Sequence, residues 1–238
     1  MWHIGCSGFY YNHWKGLFYP DDLPKSRWFD YYKERFTTLE LNVTFYRFPR
    51  LATFESWYKK SPANFSFAVK APRIITHFKQ FHETAPIMAG YYSTIIEGLK
   101  EKLGAVLFQL PPRAAYSEEK LDRIIETMDP SFPNVVEFRH ESWWNQSVYD
   151  KLAKHKITFC GISHPTLPEE VVANTRLLYY RFHGRPELYK SKYTPGELQQ
   201  VVIDIKQASH VGKAFIYFNN DIGGSAIDNA RQMQAYTQ

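Results

Sequence analysis

Eight short apolar runs punctuate the chain, and each gives way to a polar cluster. They are Trp2 to Ser7, Thr37 to Asn42, Phe65 to Lys70, Ala105 to Leu110, Asn134 to Arg139, Ile157 to Ser163, Leu177 to His183 and Ala214 to Asn219. Apolar runs of this length between polar boundaries read as buried strands. Helical spacing fills most of the gaps: Ser26 to Phe36, Leu51 to Lys60, Ala85 to Leu103, Ser147 to His155, Thr194 to His210 and Gly224 to Tyr236. Another helix starts at Ser117, where SEEKLDRIIETM sets a capping serine before an acidic turn and repeats Leu121, Ile124, Ile125 and Met128 on one face. The connection from His164 to Asn174 is only weakly helical.

Strands that alternate with helices imply parallel strands joined by crossover helices. Eight such units in 238 residues predict an α/β fold, a single (β/α)8 TIM-type barrel filling residues 1–238 as one domain, since such barrels run to about 250 residues. An open doubly wound sheet is the competing architecture. Against it, GCSGFYYNHW after the first strand lacks the G-x-G-x-x-G spacing of a dinucleotide fingerprint. No composition shift or linker divides the chain.

Within a strand, alternate residues share a face. On that reading six strands carry an apolar face into polar residues at their C-terminal ends: Thr38-Glu40-Asn42, Ser66-Ala68-Lys70, Leu107-Gln109, Val135-Glu137-Arg139, Tyr179-Arg181-His183 and Phe215-Tyr217-Asn219. Barrel enzymes place their chemistry at these strand ends. Glu40 and Glu137 are therefore the expected acid and base, with His183 an alternate proton carrier. Lys70, Arg139 and Arg181 are expected to hold a phosphate or carboxylate. Asn42, Gln109 and Asn219 would orient hydroxyls, and Trp143 would stack on a ring. Asp221 precedes Gly223-Gly224, a turn into a helix start that suits an anion. The same charges could instead form a structural ion-pair network, and Trp14, Trp143, Trp144 and Tyr46 could stack on a sugar or base or simply cover the barrel end.

Composition narrows the picture further. The net charge of +5 permits anionic partners, but the Lys and Arg residues are scattered rather than run together. No apolar run approaches the roughly 18 residues of a membrane span, and MWHIGCSG enters a strand without the basic and apolar regions of a signal peptide. A cytoplasmic protein without a membrane partner is expected. Cys6 and Cys160 lack metal-ligand spacing and lie in separate apolar strands, so they read as buried thiols. No H-E-x-x-H, cysteine quartet, P-loop or G-x-S-x-G is present. A mixed metal site from Glu40, Glu137, His183 and Asp221 is disfavoured by three nearby cations, so neither a metal nor a cofactor is expected.

With these residues identified, the chain resembles the YecE-like family, domain of unknown function 72. The resemblance spans Gly5 to about Ala230 and rests on GCSGFYYNHWKGLFYP, ELNVTFY, FAVKAPRIITH, FQLPP, VEFRHESWW, RFHG and YFNND, in that order. It implies a TIM-type barrel with these polar motifs gathered at one end, and it names no reaction. The expected function is enzymatic: hydrolase- or lyase-type acid–base chemistry on a small anionic or sugar-like molecule. Two other classes compete with it. One is a nucleic-acid-directed, metal-dependent phosphodiesterase, and the other a barrel that binds a ligand without transforming it.

Overall fold

The computed structural model describes residues 1–237. Its strands are β1 (Trp2–Cys6), β2 (Thr38–Leu41), β3 (Ser66–Lys70), β4 (Leu103–Gln109), β5 (Asn134–Glu137), β6 (Thr158–Ser163), β7 (Leu177–Phe182) and β8 (Lys213–Phe218). They form one sheet in the order β1-β8-β7-β6-β5-β4-β3-β2. The registered pairs are parallel, among them β1 with β8, β3 with β4 and β7 with β8. A parallel bridge from Ser7 to Glu40 links the ends of β1 and β2, which returns the order to its start. This is the strand order of a closed (β/α)8 barrel.

The helices are α1 (Trp28–Lys33), α2 (Val43–Tyr46), α3 (Leu51–Lys60), α4 (Ala85–Leu99), α5 (Glu118–Thr127), α6 (Gln146–Lys154), α7 (Pro195–Gln207) and α8 (Ser225–Tyr236). Their starts follow local chemistry. Ser117 accepts a hydrogen bond from Lys120 N at the start of α5, Asn145 accepts from Val148 N at α6, and Thr194 with Glu197 closes a capping box at α7. No helix forms between β6 and β7, where the sequence was only weakly helical. The long helix expected to reach Leu103 instead ends at Leu99, and Lys100 takes a left-handed φ of 50°. The apolar run LGAVLFQ then enters β4, and Lys102 turns its ammonium onto Tyr58 O and Ser61 O, each at 2.7 Å. Among the elements not foreseen are α2 and a π-helical turn at Ile74–Phe78.

The chain packs as two compact units. One comprises Met1–Glu40 with Gly161 onward, the other Leu41–Cys160. The first has an aromatic core in which Tyr19 stacks on Trp28 at 4.6 Å and Phe182 on Phe218 at 4.5 Å. In the second, Phe108, Phe138, Phe159 and Trp143 are buried among aliphatic strand residues. Cys6 and Cys160 are free and buried, and burial holds the Cys6 thiol well above its usual range. Among the described residues no helix is long and apolar enough to cross a membrane.

Candidate functional site

In the first unit, the faces predicted for β2, β7 and β8 meet in layers. Lowest is Thr38, whose hydroxyl lies 2.5 Å from the Tyr217 hydroxyl, with the Tyr179 ring 5.3 Å from that of Tyr217. Above it the Glu40 carboxylate is enclosed. Its Oε1 accepts from the Ser7 hydroxyl and from Arg181 Nη2 at 2.6 Å, and its Oε2 accepts from the Tyr179 hydroxyl at 2.6 Å. Arg181 Nη2 also reaches Ser7 Oγ at 3.0 Å. Glu40 is 0% and Arg181 1% exposed. Burial first, then the neighbouring carboxylate, holds the Tyr179 hydroxyl far above its ordinary pKa, so it serves Glu40 as a donor. In the top layer Asn219 Nδ2 lies 3.1 Å from Nδ1 of the buried His183.

Beside this stack lies a pair the sequence did not suggest. Asp221 is buried, accepts from Trp14 Nε1 at 2.5 Å and pairs with His13 Nε2 at 2.9 Å. Burial pushes its carboxyl above the usual range, while Trp14 and His13 hold it back. Tyr11 closes the corner, donating to Ser7 O at 2.6 Å. Tyr179 was placed on that face without a role, because a tyrosine within an apolar strand reads as core, and His13 and Tyr11 escaped notice because loop residues join a site only once the loop is folded.

The second unit contains the remaining predicted residues. Lys70 Nζ donates to Gln109 Oε1 at 2.5 Å and lies 4.2 Å from the centre of the Phe45 ring. Arg139 Nε pairs with Glu137 Oε1, both side chains being buried. Arg139 lies two residues beyond the end of β5, so the pair brackets the strand end. Asn42 stands half-buried at the start of α2. Trp143 requires a correction. It is fully buried, stacked on Phe138 at 4.0 Å, with Nε1 donating to Ala114 O at 2.7 Å. The expected stacking surface is therefore packing, because its one polar atom finds a backbone partner inside.

Around Lys70 the structure adds residues that the sequence reading passed over. The π-helical turn after β3 presents His77, whose ring meets Phe45 edge-on at 5.0 Å and whose Nδ1 lies 2.9 Å from the Thr76 hydroxyl. Burial first, and then Lys70, Arg113, Arg73 and Arg139, lower the His77 pKa to about 4. Segments 42–50, 70–82 and 109–116 hold Arg47, Arg50, Lys70, Arg73, Lys79 and Arg113 and no Asp or Glu. The chain just beyond the turn is strained, with positive φ at Gln80, Phe81 and Glu83. Phe81, a buried bulky aromatic at φ 66°, is a conformation found mostly where the surroundings enforce it. π-helical turns are frequent at functional sites. Among the described residues no three His, Cys, Asp or Glu side chains gather as metal ligands.

Comparison with known proteins agrees with this architecture. The chain is 26% identical to the UPF0759 protein YunF of Bacillus subtilis (strain 168), the match covering 90% of this chain and 88% of that one. A DUF72 family protein of Thermotoga maritima, TM1631, has a solved structure that superposes with a TM-score of 0.87 at 29% identity, covering 100% of this chain and 99% of the other. For EF0366 of Enterococcus faecalis, another DUF72 family protein, the TM-score is 0.84 at 20% identity over 99% and 95% of the two chains, a likeness of fold. The family model "Protein of unknown function DUF72" matches residues 3–238, and the chain belongs to that family.

Proposed function

We propose that this protein is an enzyme that acts on a small anionic or sugar-like substrate at the C-terminal ends of its strands. One observation carries the reading: Lys70 and His77 flank the Phe45 ring, at 4.2 and 5.0 Å from its centre, and after burial the charges of Lys70, Arg113, Arg73 and Arg139 lower the His77 pKa. Arg73 and Arg113 form no ion pair among the described residues. Gathering like charges is unfavourable unless a counter-ion is supplied, and a phosphate or carboxylate supplies it. Lys70 and Arg139 would bear the anion, Lys70 as a point charge and Arg139 by its fork. Gln109 and Asn42 would orient hydroxyls, and the neutral His77 offers one further N–H.

Glu137, bonded to Arg139, is the acid–base group beside this anion site. In the other unit Glu40 and His183 are the candidates, Glu40 exchanging protons by way of the Ser7 and Tyr179 hydroxyls that touch it. Asn219 would fix the His183 ring, and Asp221 would fix His13. Proton transfer by a placed carboxylate contributes about 10²–10⁴-fold to a rate.

The test is a thermal-shift screen of phosphorylated and carboxylated metabolites, with each hit followed by NMR for turnover. Hits should be lost in Lys70→Met and Arg139→Met, and turnover should drop by at least about 100-fold in Glu137→Gln or Glu40→Gln. Hits that survive both cation substitutions would contradict the anion site. Turnover that survives both Glu→Gln changes would remove the acid–base assignment.

A further inference from the structure

Two large aromatic side chains stand in solvent beside the cation cluster. Tyr46, at the end of α2, is 68% exposed, and Phe78, at the end of the π-helical turn, is 63% exposed. The Arg73 guanidinium lies 5.7 Å from the centre of the Tyr46 ring and 5.2 Å from that of Phe78. Arg73 is exposed and has no carboxylate partner among the described residues. Packing does not account for these rings, because leaving a large apolar surface in water gives up the burial energy that places most aromatics inside. Val43 and Phe48, also exposed, extend the apolar surface along the same segment.

The chemistry of the patch has two parts. A guanidinium held near two aromatic rings is a surface for a flat π-system, since ring and guanidinium both stack on it. Lys70 and Arg113 belong to the same group of cations around His77 and suit a phosphate. The connecting residues supply no acid that would repel it: segments 42–50 and 70–82 contain no Asp or Glu. A ligand that satisfies both parts carries a phosphate at one end and a flat aromatic ring at the other.

From this juxtaposition we infer that the anionic substrate is a phosphate ester bearing an aromatic ring, of the nucleoside monophosphate class, with its ring on the Tyr46–Arg73–Phe78 platform and its phosphate toward Lys70 and Arg113. The inference rests on the anion site proposed above and adds the identity of the group attached to the phosphate. Tyr46 closes the motif ELNVTFY and was a stacking candidate from the sequence, whereas Phe78 lies just beyond FAVKAPRIITH and was not marked.

Calorimetric titration of the full chain with AMP, ribose 5-phosphate, adenosine and inorganic phosphate separates the possibilities. AMP should bind about tenfold tighter than ribose 5-phosphate, the gain expected from stacking one base, and adenosine should bind more weakly than either. Tyr46→Ala and Phe78→Ala, both at exposed positions, should each lower the AMP to ribose 5-phosphate ratio toward one. Arg73→Met should weaken AMP most. Equal affinities for AMP and ribose 5-phosphate would overturn the inference and leave the anion site standing, as would a ratio that the aromatic substitutions do not change. Failure of all the phosphate compounds to bind would overturn both.

Discussion

Replacing Arg181 by methionine leaves Glu40 as a buried charge without its cation. In the native protein Arg181 Nη2 bonds Glu40 Oε1 at 2.6 Å and Ser7 Oγ at 3.0 Å, with both charged side chains excluded from water. Removing one partner of such a pair costs about 3–5 kcal/mol, because the remaining charge keeps its desolvation penalty. Glu40 retains the Ser7 and Tyr179 hydroxyls, which offset part of that penalty, so the loss should fall near the lower end, about 3 kcal/mol. Adding Glu40→Gln removes the stranded charge, keeps an acceptor oxygen for one of the two hydroxyls and turns an amide N–H toward the oxygen of the other. The double variant should therefore be more stable than Arg181→Met alone, with a coupling energy of about 2 kcal/mol. Urea unfolding measures this, and if the units unfold in separate steps the transition of the unit that holds the pair carries the change. A loss below about 1 kcal/mol, or a double variant less stable than the single, would show that the pair does not brace the fold.

Other expectations follow from the same structure. Within α4, a methyl group at Gly98 would lie 2.4 Å from Phe54 Cβ, whereas one at Gly90 meets nothing within 4 Å. Gly98→Ala should thus cost about 1–3 kcal/mol, and Gly90→Ala should add about 0.5–1 kcal/mol. Melting temperatures that move together would contradict the close packing of α3 on α4. Burial lowers the His3 pKa from 6.5 to about 4, so the unfolded chain takes the proton first and stability is lost as pH falls from 6.5 toward 4. His3→Phe should reduce the drop in urea midpoint between about pH 7.5 and about pH 5, and parallel curves for the two proteins would refute that cause.

The barrel was legible because each strand is a short apolar run that turns polar at one end, and the alternation along β2, β7 and β8 placed Glu40, Arg181, His183 and Asn219 on one face. Alternation says which residues share a face, so Glu40 with Arg181 and His183 with Asn219 could be grouped before any distance was known. It is silent about loops. The His13–Asp221 pair joins residues 208 positions apart, and the π-helical turn follows neither the period of a strand nor that of an α-helix. His77 therefore stayed hidden within FAVKAPRIITH, although that motif was noted. Trp143 failed for another reason. A tryptophan in a polar motif looks exposed, but a backbone carbonyl at Ala114 lets its indole N–H go inside.

An anion held at the ends of β2 to β5 in the second unit would be felt at His77. Its imidazole resonances, assigned with a His77→Gln variant, can be followed by NMR against pH with and without inorganic phosphate. Without phosphate the pKa should lie at about 4, and Lys70→Met should raise it by removing a cation. Saturating phosphate should raise it by at least about one unit, or about 1.4 kcal/mol, since a bound anion favours the imidazolium. A His77 titration that phosphate leaves unchanged would contradict the account.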